Sequence, residues 1–450
     1  MSCAPRAERG HTVKRREFLL GSTAGAVTTL VANGQPFRTP GDLFFDFQRS
    51  NGPLVIDEVE LLELEGHHMM DTGINNQYQV KGEYIYDDMR PPEYVEHPGQ
   101  IENLAVRWSY LRLRTKQGLE GIFGPIDWDA PAVLRHNFRR FLLGRDALAH
   151  ETLWDELYRA VPFSRSGAHC MALSAIDNAL WDLRAKYYGV PVYKLLGGHS
   201  RESVEAYASS WMYSLEPNAL RKQATINKQN GYSKQKWFLA YGPGSGEEGM
   251  KKNVETVRIL RETVGDDDDL MFDAYNGWTL SYALEWARRV EQYHPRWIEE
   301  IVATDKLDAF IAFRRGSNIP VATGEHLFGR WEVEKFLQAG AISVIQTDPD
   351  WCGGISELVK IGTLASVYDI PVVPHGHGVY ASMHTIFSQS PETFPCAEYL
   401  LAPMRMPTWY YFEKHPPVPV NAHFALPTGV GFNVEFDPAK IEKQTVITGI

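Results

Sequence analysis

Leu270-Met-Phe-Asp273, Arg296-Trp-Ile-Glu299 and Ile319-Pro-Val-Ala-Thr-Gly-Glu325 are three short apolar runs, each closed by a carboxylate. Three later runs have the same form: Ile342-Ser-Val-Ile-Gln-Thr-Asp348, Ile370-Pro-Val-Val-Pro-His375 and Phe394-Pro-Cys-Ala-Glu398. The closing residues stand 26, 26, 23, 27 and 23 positions apart. A strand, a helix and two loops consume about that many residues, so the period predicts a (β/α) barrel with its chemistry at the C-terminal rim. Carboxylates at three successive strand ends converge in space, and such an all-oxygen set suits a hard divalent cation.

Working outward, the βα alternation begins near residue 203 with Val204-Glu-Ala-Tyr-Ala-Ser209, followed by Ser233-Lys-Gln-Lys-Trp-Phe-Leu239. Upstream, 54–64 alternates as a strand, and 66–100 has no period and reads as a long loop of the kind that closes active sites. Leu104 to Thr115 and Leu119 to Phe123 read as a hairpin about Lys116-Gln-Gly118, and 131–160 and 168–189 carry helical spacing. After 400 there is no further βα unit. Pro416–Asn421 and Phe432–Phe436 read as extended segments that return to the first block. The expected fold is α/β, a modified (β/α)7β TIM-type barrel over 166–400. An α+β capping domain over 35–165 precedes it, and a C-terminal segment over 401–450 completes the cap.

The chain has 450 residues, 44% of them apolar, enough for a barrel core and a smaller second domain. Net charge is −11, with no basic stretch beyond the first twenty residues, which argues against nucleic acid as a partner. Cys3, Cys170, Cys352 and Cys396 show no framework spacing and read as unpaired thiols. Asp266 to Asp269 lacks the spacing and glycine of a calcium loop and reads as a solvated turn. Residues 1–34 differ in kind. Arg15-Arg16 precede a short apolar stretch from Gly21 to Ala32, and Ala32-Asn33-Gly34 offers a cleavage site, so a Tat-type signal and export to the periplasm are expected. That stretch is too short to span a bilayer, so no stable membrane insertion is expected.

Ala172 to Lys186, with Asp177 and Asp182 inside it, and Pro191-Val-Tyr-Lys-Leu-Leu-Gly-Gly198 resemble the helix-to-barrel signature of the enolase superfamily, in its mandelate racemase branch. Asp348-Pro-Asp-Trp351-Cys-Gly-Gly354, Gly324-Glu-His326, Val373-Pro-His-Gly376 and Pro417-Val-Pro-Val-Asn421 are similar to the rhamnonate dehydratase group of that branch. The resemblance covers about 54–440. It implies Mg²⁺ held by Asp273, Glu299 and Glu325, a His375–Asp348 catalytic dyad, and Glu398 as a polar group at the eighth strand. His326, beside Glu325, is a candidate contact for the departing hydroxyl. An oligomer of like subunits is the family expectation.

The family's shared step removes a proton α to a carboxylate, and the developing oxyanions require fixed positive charge. Members that work on both substrate faces carry Lys-x-Lys on the second strand. Here Lys236 takes the first position and Phe238 the second, while Lys234 reads as solvent-facing. One face thus has no evident base, which weighs against racemisation. A dehydratase acts from one face, with a single histidine taking the α proton and then protonating the leaving β-hydroxyl. Lys236 reads as a cation near the substrate carboxylate. His67, His68, Asn75, Asn76, Tyr78 and Lys81 in the long loop, with Tyr275 and Trp351 at the rim, are the candidate substrate contacts. The expectation is a Mg²⁺-dependent acid-sugar dehydratase, L-rhamnonate or a 6-deoxy relative first. An epimerase or cycloisomerase and a non-catalytic sugar-acid-binding barrel are the competing readings.

Overall fold

A computed structural model describes residues 52–71, 77–93, 101–127, 129–160, 162, 165–401 and 409–448. The expected leader, and Asn75 and Asn76, fall outside these.

Two sheets organise the described residues. The first is antiparallel, in the order β12–β1–β2–β3, formed by β1 (Ile56–Asp71), β2 (Ile101–Thr115), β3 (Glu120–Phe123) and β12 (Lys443–Ile447). Leu62, Leu64, Val106, Tyr110 and Phe412 form its apolar core. The β1–β2 ladder runs from Ile56↔Thr115 to Asp71↔Ile101, so β1 continues through residues that the sequence reading gave to the long loop. That loop begins after Asp71, because pairing to β2 and the packing of Met70 outweigh the polar character of Gly66-His67-His68. Its described part, 77–93, holds two short 3₁₀ turns and docks on the barrel through Val80 N donating to Leu239 O at 2.9 Å.

The second sheet is parallel and curled. Its strands are β4 (Ser203–Ser210), β5 (Lys234–Phe238), β6 (Asp269–Asp273), β7 (Trp297–Glu299), β8 (Val321–Thr323), β9 (Val344–Ile345) and β10 (Ala397–Leu401). Each is paired to the next up to β9, and β10 pairs with β4. Val372 bridges Ile345 in parallel and occupies the seventh position, between β9 and β10. The C-terminal segment differs in detail from expectation. Its regular strands are β11 (His423–Ala425), antiparallel to β4, and β12 on the capping sheet, whereas 416–421 and 432–436 form only isolated bridges. Both quoted stretches carry prolines or turn-formers that interrupt a ladder.

Tyr207, Met271, Trp297, Ala322, Val344, Val373 and Cys396 meet in one buried layer inside the barrel. Strand side chains alternate, so the residue two positions later points the same way, one layer higher. That rule lifts Ser209, Asp273, Glu299, Gln346, His375 and Glu398 to the rim directly above the core. Glu325 is the exception, since Ala322 is the inward residue of β8. Gly324, at φ +146°, turns the chain there, and a side chain on it would lie 2.7 Å from Gln346 N.

The helix Gly167–Tyr188 is buried along most of its length between cap and barrel, which is why it reads as apolar all round. Its polar residues serve the loop after Asp348. Asp177 accepts from Ser356 N at 2.9 Å and Ser356 Oγ at 2.7 Å, and Asn178 accepts from Ile355 N at 3.0 Å while donating to Pro349 O at 3.1 Å. These bonds satisfy the free N–H groups at the start of the helix Ile355–Ser366. They also fix the 349–356 turn that carries Trp351. Among the described residues, no helix is long and apolar enough to cross a membrane, and Cys170, Cys352 and Cys396 are buried free thiols.

Candidate active site

A cavity at the C-terminal rim is lined by Lys236, Phe238, Asp273, Tyr275, Glu325, Trp351, His375 and His377 from the barrel, and by Gln79 from the cap. Most of the expected site residues thus meet in one place. His67 and His68 do not. They lie in β1, where His67 Nδ1 is 2.9 Å from Glu442 Oε2 and the His68 ring packs on Tyr411 at 4.8 Å. Extension of β1 to Asp71 removed them from the loop. Tyr78 and Lys81 do not line the cavity either, and Lys81 faces Glu83 at 3.8 Å. Lys234 is not solvent-facing: it is mostly buried and ion-paired with Glu205.

The dyad residues are in bonding distance. His375 Nδ1 lies 2.9 Å from Asp348 Oδ2, which leaves Nε2 toward the cavity, 3.5 Å from Glu325 Oε2. Burial pushes the His375 imidazole down to about 4, reinforced by Lys236 and His377 against the opposing pull of Glu398. The imidazole is therefore neutral and able to accept a proton. Gly376 permits this approach: its N–H donates to Glu398 Oε2 at 2.9 Å, and a Cβ there would lie 2.6 Å from Glu398 Cγ.

Lys236 is fully engaged. Its Nζ sits 2.7 Å from Glu299 Oε2 and 2.7 Å from Glu398 Oε1. Register places Phe238 level with Asp273 and Lys236 level with Met271, so the lysine stem rises from the core layer to reach both carboxylates. Burial disfavours its charge, yet the two glutamates outweigh that and hold the ammonium well above its usual range. Burial would raise Glu398, but Lys236 and then His375 bring it down to about 2. Glu398 is thus an ionised partner of Lys236.

The carboxylates Asp273, Glu299 and Glu325 sit at three neighbouring strand ends without a matching number of cations. Burial raises Asp273 to about 6 and Glu299 to about 7, and lifts Glu325 well above the carboxylate range; their mutual repulsion and that of Glu300 add to it. Glu299 Oε2 also accepts from Gln346 Nε2 at 2.7 Å, but its Oε1 is buried without a donor. An orphaned carboxylate oxygen in an anionic cluster fits a bound divalent cation. A compact group of Glu300, Glu325 and His326, with donor atoms within 4.8 Å, shares Glu325 with the expected set.

Glu300 was not singled out from sequence. Strand alternation points it away from Glu299, but its φ of +48° ends β7 and turns it into the rim. There it is wholly buried, 2.7 Å from His326 Nδ1, and it accepts from Asn276 Nδ2 at 2.7 Å. Burial works against the His326 charge, but Glu300 holds the imidazole above its ordinary value. Asn276 follows Tyr275, and both have positive φ, a conformation that the asparagine alone made legible. Tyr275 stands edge-on to His326 at 5.5 Å, and Trp351 packs on His375 at 5.1 Å. Gln79, Asp127 and His377 were also missed as site residues, having no partner close in sequence.

Residues 99–197 match the mandelate racemase / muconate lactonizing enzyme N-terminal domain, and 219–440 match the enolase C-terminal domain-like model. The chain belongs to the enolase superfamily. It is 34% identical over 313 residues to L-rhamnonate dehydratase of Saccharopolyspora erythraea, covering 68% of this chain and 77% of that protein. The L-rhamnonate dehydratase structure from Gibberella zeae superposes with a TM-score of 0.71 at 29% identity, over 86% of this chain and 95% of that one. A second structure of rhamnonate dehydratase from Gibberella zeae, complexed with Mg, gives 0.71 at 27% identity over the same shares. As an enolase-superfamily member, the chain is similar to acid-sugar dehydratases and carries an acidic cluster suited to the metal.

Proposed function

We propose that this chain is a Mg²⁺-dependent acid-sugar dehydratase that converts an aldonate, L-rhamnonate or a 6-deoxy relative first, to the 2-keto-3-deoxy acid. The observation that carries the reading is the pairing of His375, held by Asp348, with a non-basic Phe238 in the same cavity. Asp273, Glu299 and Glu325 would hold the cation, which when bound supplies fixed positive charge to the substrate carboxylate. His375 Nε2 takes the Cα proton, and Asp348 stabilises the resulting imidazolium. The Cα electron pair passes into an enediolate. Its collapse expels the β-hydroxyl, protonated by the same imidazolium, as water. The enol product tautomerises to the 2-keto acid, and His375 returns to its neutral form. His326, held by Glu300 at 2.7 Å, would hydrogen-bond a substrate hydroxyl.

An epimerase needs a second acid–base group. Lys236 is the only residue the sequence offered for it, and its bonds to Glu299 and Glu398 engage the ammonium that would have to act. A panel of aldonates incubated with enzyme and Mg²⁺, assayed for 2-keto acid and for α-proton exchange, tests the reading. Product from at least one 6-deoxyaldonate supports it. Exchange on both faces without product overturns it in favour of epimerisation, and binding without either overturns it in favour of a binding protein. Residues 1–34 are proposed to direct export, and an Arg15→Lys, Arg16→Lys chain that still reaches the periplasm in unchanged yield would remove that claim.

A further inference from the structure

The cap supplies a carboxylate to the catalytic side of the barrel. Asp127 follows β3 in a turn whose backbone is tied to β2 by Ile126 N donating to Ser109 O at 2.9 Å. Its buried Oδ2 accepts from Trp351 Nε1 at 2.9 Å and lies 2.8 Å from His377 Nε2. An indole N–H only donates, so Oδ2 takes a hydrogen bond from Trp351, while the His377 imidazole lies beside the same oxygen at ion-pair distance. His377 Nδ1 then faces Asp350 Oδ2 at 3.8 Å and Asp348 Oδ2 at 4.0 Å. Asp348 is thereby surrounded: Oδ1 accepts from Asp350 N at 2.7 Å, while Oδ2 meets His375 on one side and looks toward His377 on the other. The Trp351 ring contacts both imidazoles, at 5.1 Å and 4.9 Å, and those two rings lie nearly parallel, 11° apart.

We propose that Asp127 and His377 form a positioning pair that sets the orientation of Trp351 and Asp348, and through them of His375, so that the dyad is assembled only with the cap in place. Both His377 nitrogens lie within 4.0 Å of carboxylates, so the residue acts on Asp348 and Trp351 through these contacts. Trp351 transmits the constraint, because the indole held by Asp127 is the surface against which the His375 ring lies. Displacements of about 1 Å at a reacting group cost about a hundredfold in rate, so a loss of this anchor is read in kcat. The proposal rests on the dehydratase reading for its kinetic arm only.

The test uses the full chain with Mg²⁺. Asp127→Asn keeps the volume and an acceptor for Trp351 but removes the negative charge that faces His377. Its kcat is expected to fall about tenfold to a hundredfold, with KM within about twofold, and Asp127→Glu is expected to recover part of the loss. In parallel, ¹⁵N spectra of histidine-labelled protein report the imidazole tautomers without requiring turnover. The His375 and His377 signals are expected to move together in Asp127→Asn. A raised KM with unchanged kcat, or unmoved His375 signals, overturns the proposal. If Asp127→Asn fails to fold, Trp351→Phe removes the indole donor together with part of the ring that backs His375, and carries the same expectations for kcat and for the His375 signals. Wild-type protein without turnover on any aldonate sinks the dehydratase reading, while the spectra still decide the positioning pair.

Discussion

Lys236 Nζ, in the wall of the rim cavity, lies 2.7 Å from Glu398 Oε1, with both side chains buried. A lysine so held neutralises both Glu398 and Glu299, and its loss leaves them unpaired. Lys236→Met is expected to destabilise the apo-protein by about 3–5 kcal/mol. Urea unfolding with and without Mg²⁺ checks this, and the deficit should shrink when the cation is present. A variant as stable as wild type without metal would show that the ammonium does not neutralise Glu299 and Glu398.

Phe238 stands level with Asp273, where a base for the second substrate face would be. Phe238→Lys restores the Lys-x-Lys pattern at nearly the same length of side chain. The expected outcome is α-proton exchange with inverted facial preference, observed by NMR in D₂O, alongside a fall in dehydration. Exchange confined to the His375 face would mean that position 238 does not reach the substrate.

Most of the barrel and its rim were legible because strand alternation and βα spacing are local rules. Asp273, Glu299, His375 and Glu398 follow from residues two positions earlier that fill the core. Glu300 was not legible in the same way: its burial depends on a left-handed turn at the end of β7 that no residue type at that position announces. Asp127 and His377 are 250 residues apart and meet only because the Gly167–Tyr188 helix holds the cap on the loop after Asp348. His67 and His68 were misplaced for the opposite reason, since a polar, glycine-containing stretch is drawn into a strand by its partner β2. Long-range pairing decides such positions, and local composition does not contain it.

The acidic rim is expected to make the stability of the fold depend on metal. Asp273, Glu299 and Glu325 repel one another in a buried site, so a cation held there would bind the folded state preferentially. Mg²⁺ at about a hundred times its dissociation constant is expected to stabilise the protein by about 2.7 kcal/mol. Thermal unfolding with Mg²⁺ and with EDTA reads this directly. Glu299→Gln should reduce the metal-induced rise while raising the apo-protein's own midpoint, because one repelling charge is gone. A metal response unchanged by Glu299→Gln would place the cation elsewhere.

His375→Asn separates base from scaffold. Asparagine retains a group able to bond Asp348 but cannot shuttle a proton, so turnover should fall by about 10²–10⁴-fold. Mg²⁺ affinity, measured by calorimetry, should stay near the wild-type value because His375 is not among the expected ligands. Retained turnover would remove His375 from the base role.

Glu413 joins three parts of the molecule: it accepts from Tyr110 of β2 at 3.0 Å and from Tyr380 of the helix Val379–Ser388 at 2.5 Å. Burial raises its carboxyl to about 8, opposed only in part by the two tyrosines and by Lys440. In the unfolded chain the group titrates near its ordinary 4.5. Between those values the folded state holds a proton that the unfolded state releases, so its contribution is complete below about 4.5 and is lost as pH rises through about 8. The slope from this group reaches at most about 1.4 kcal/mol per pH unit. Glu413→Gln removes the titration while keeping the size of the side chain. Wild-type unfolding midpoints should therefore fall relative to the variant's from pH 5 to pH 8, and parallel profiles over that range would show that Glu413 does not carry a proton in the folded protein.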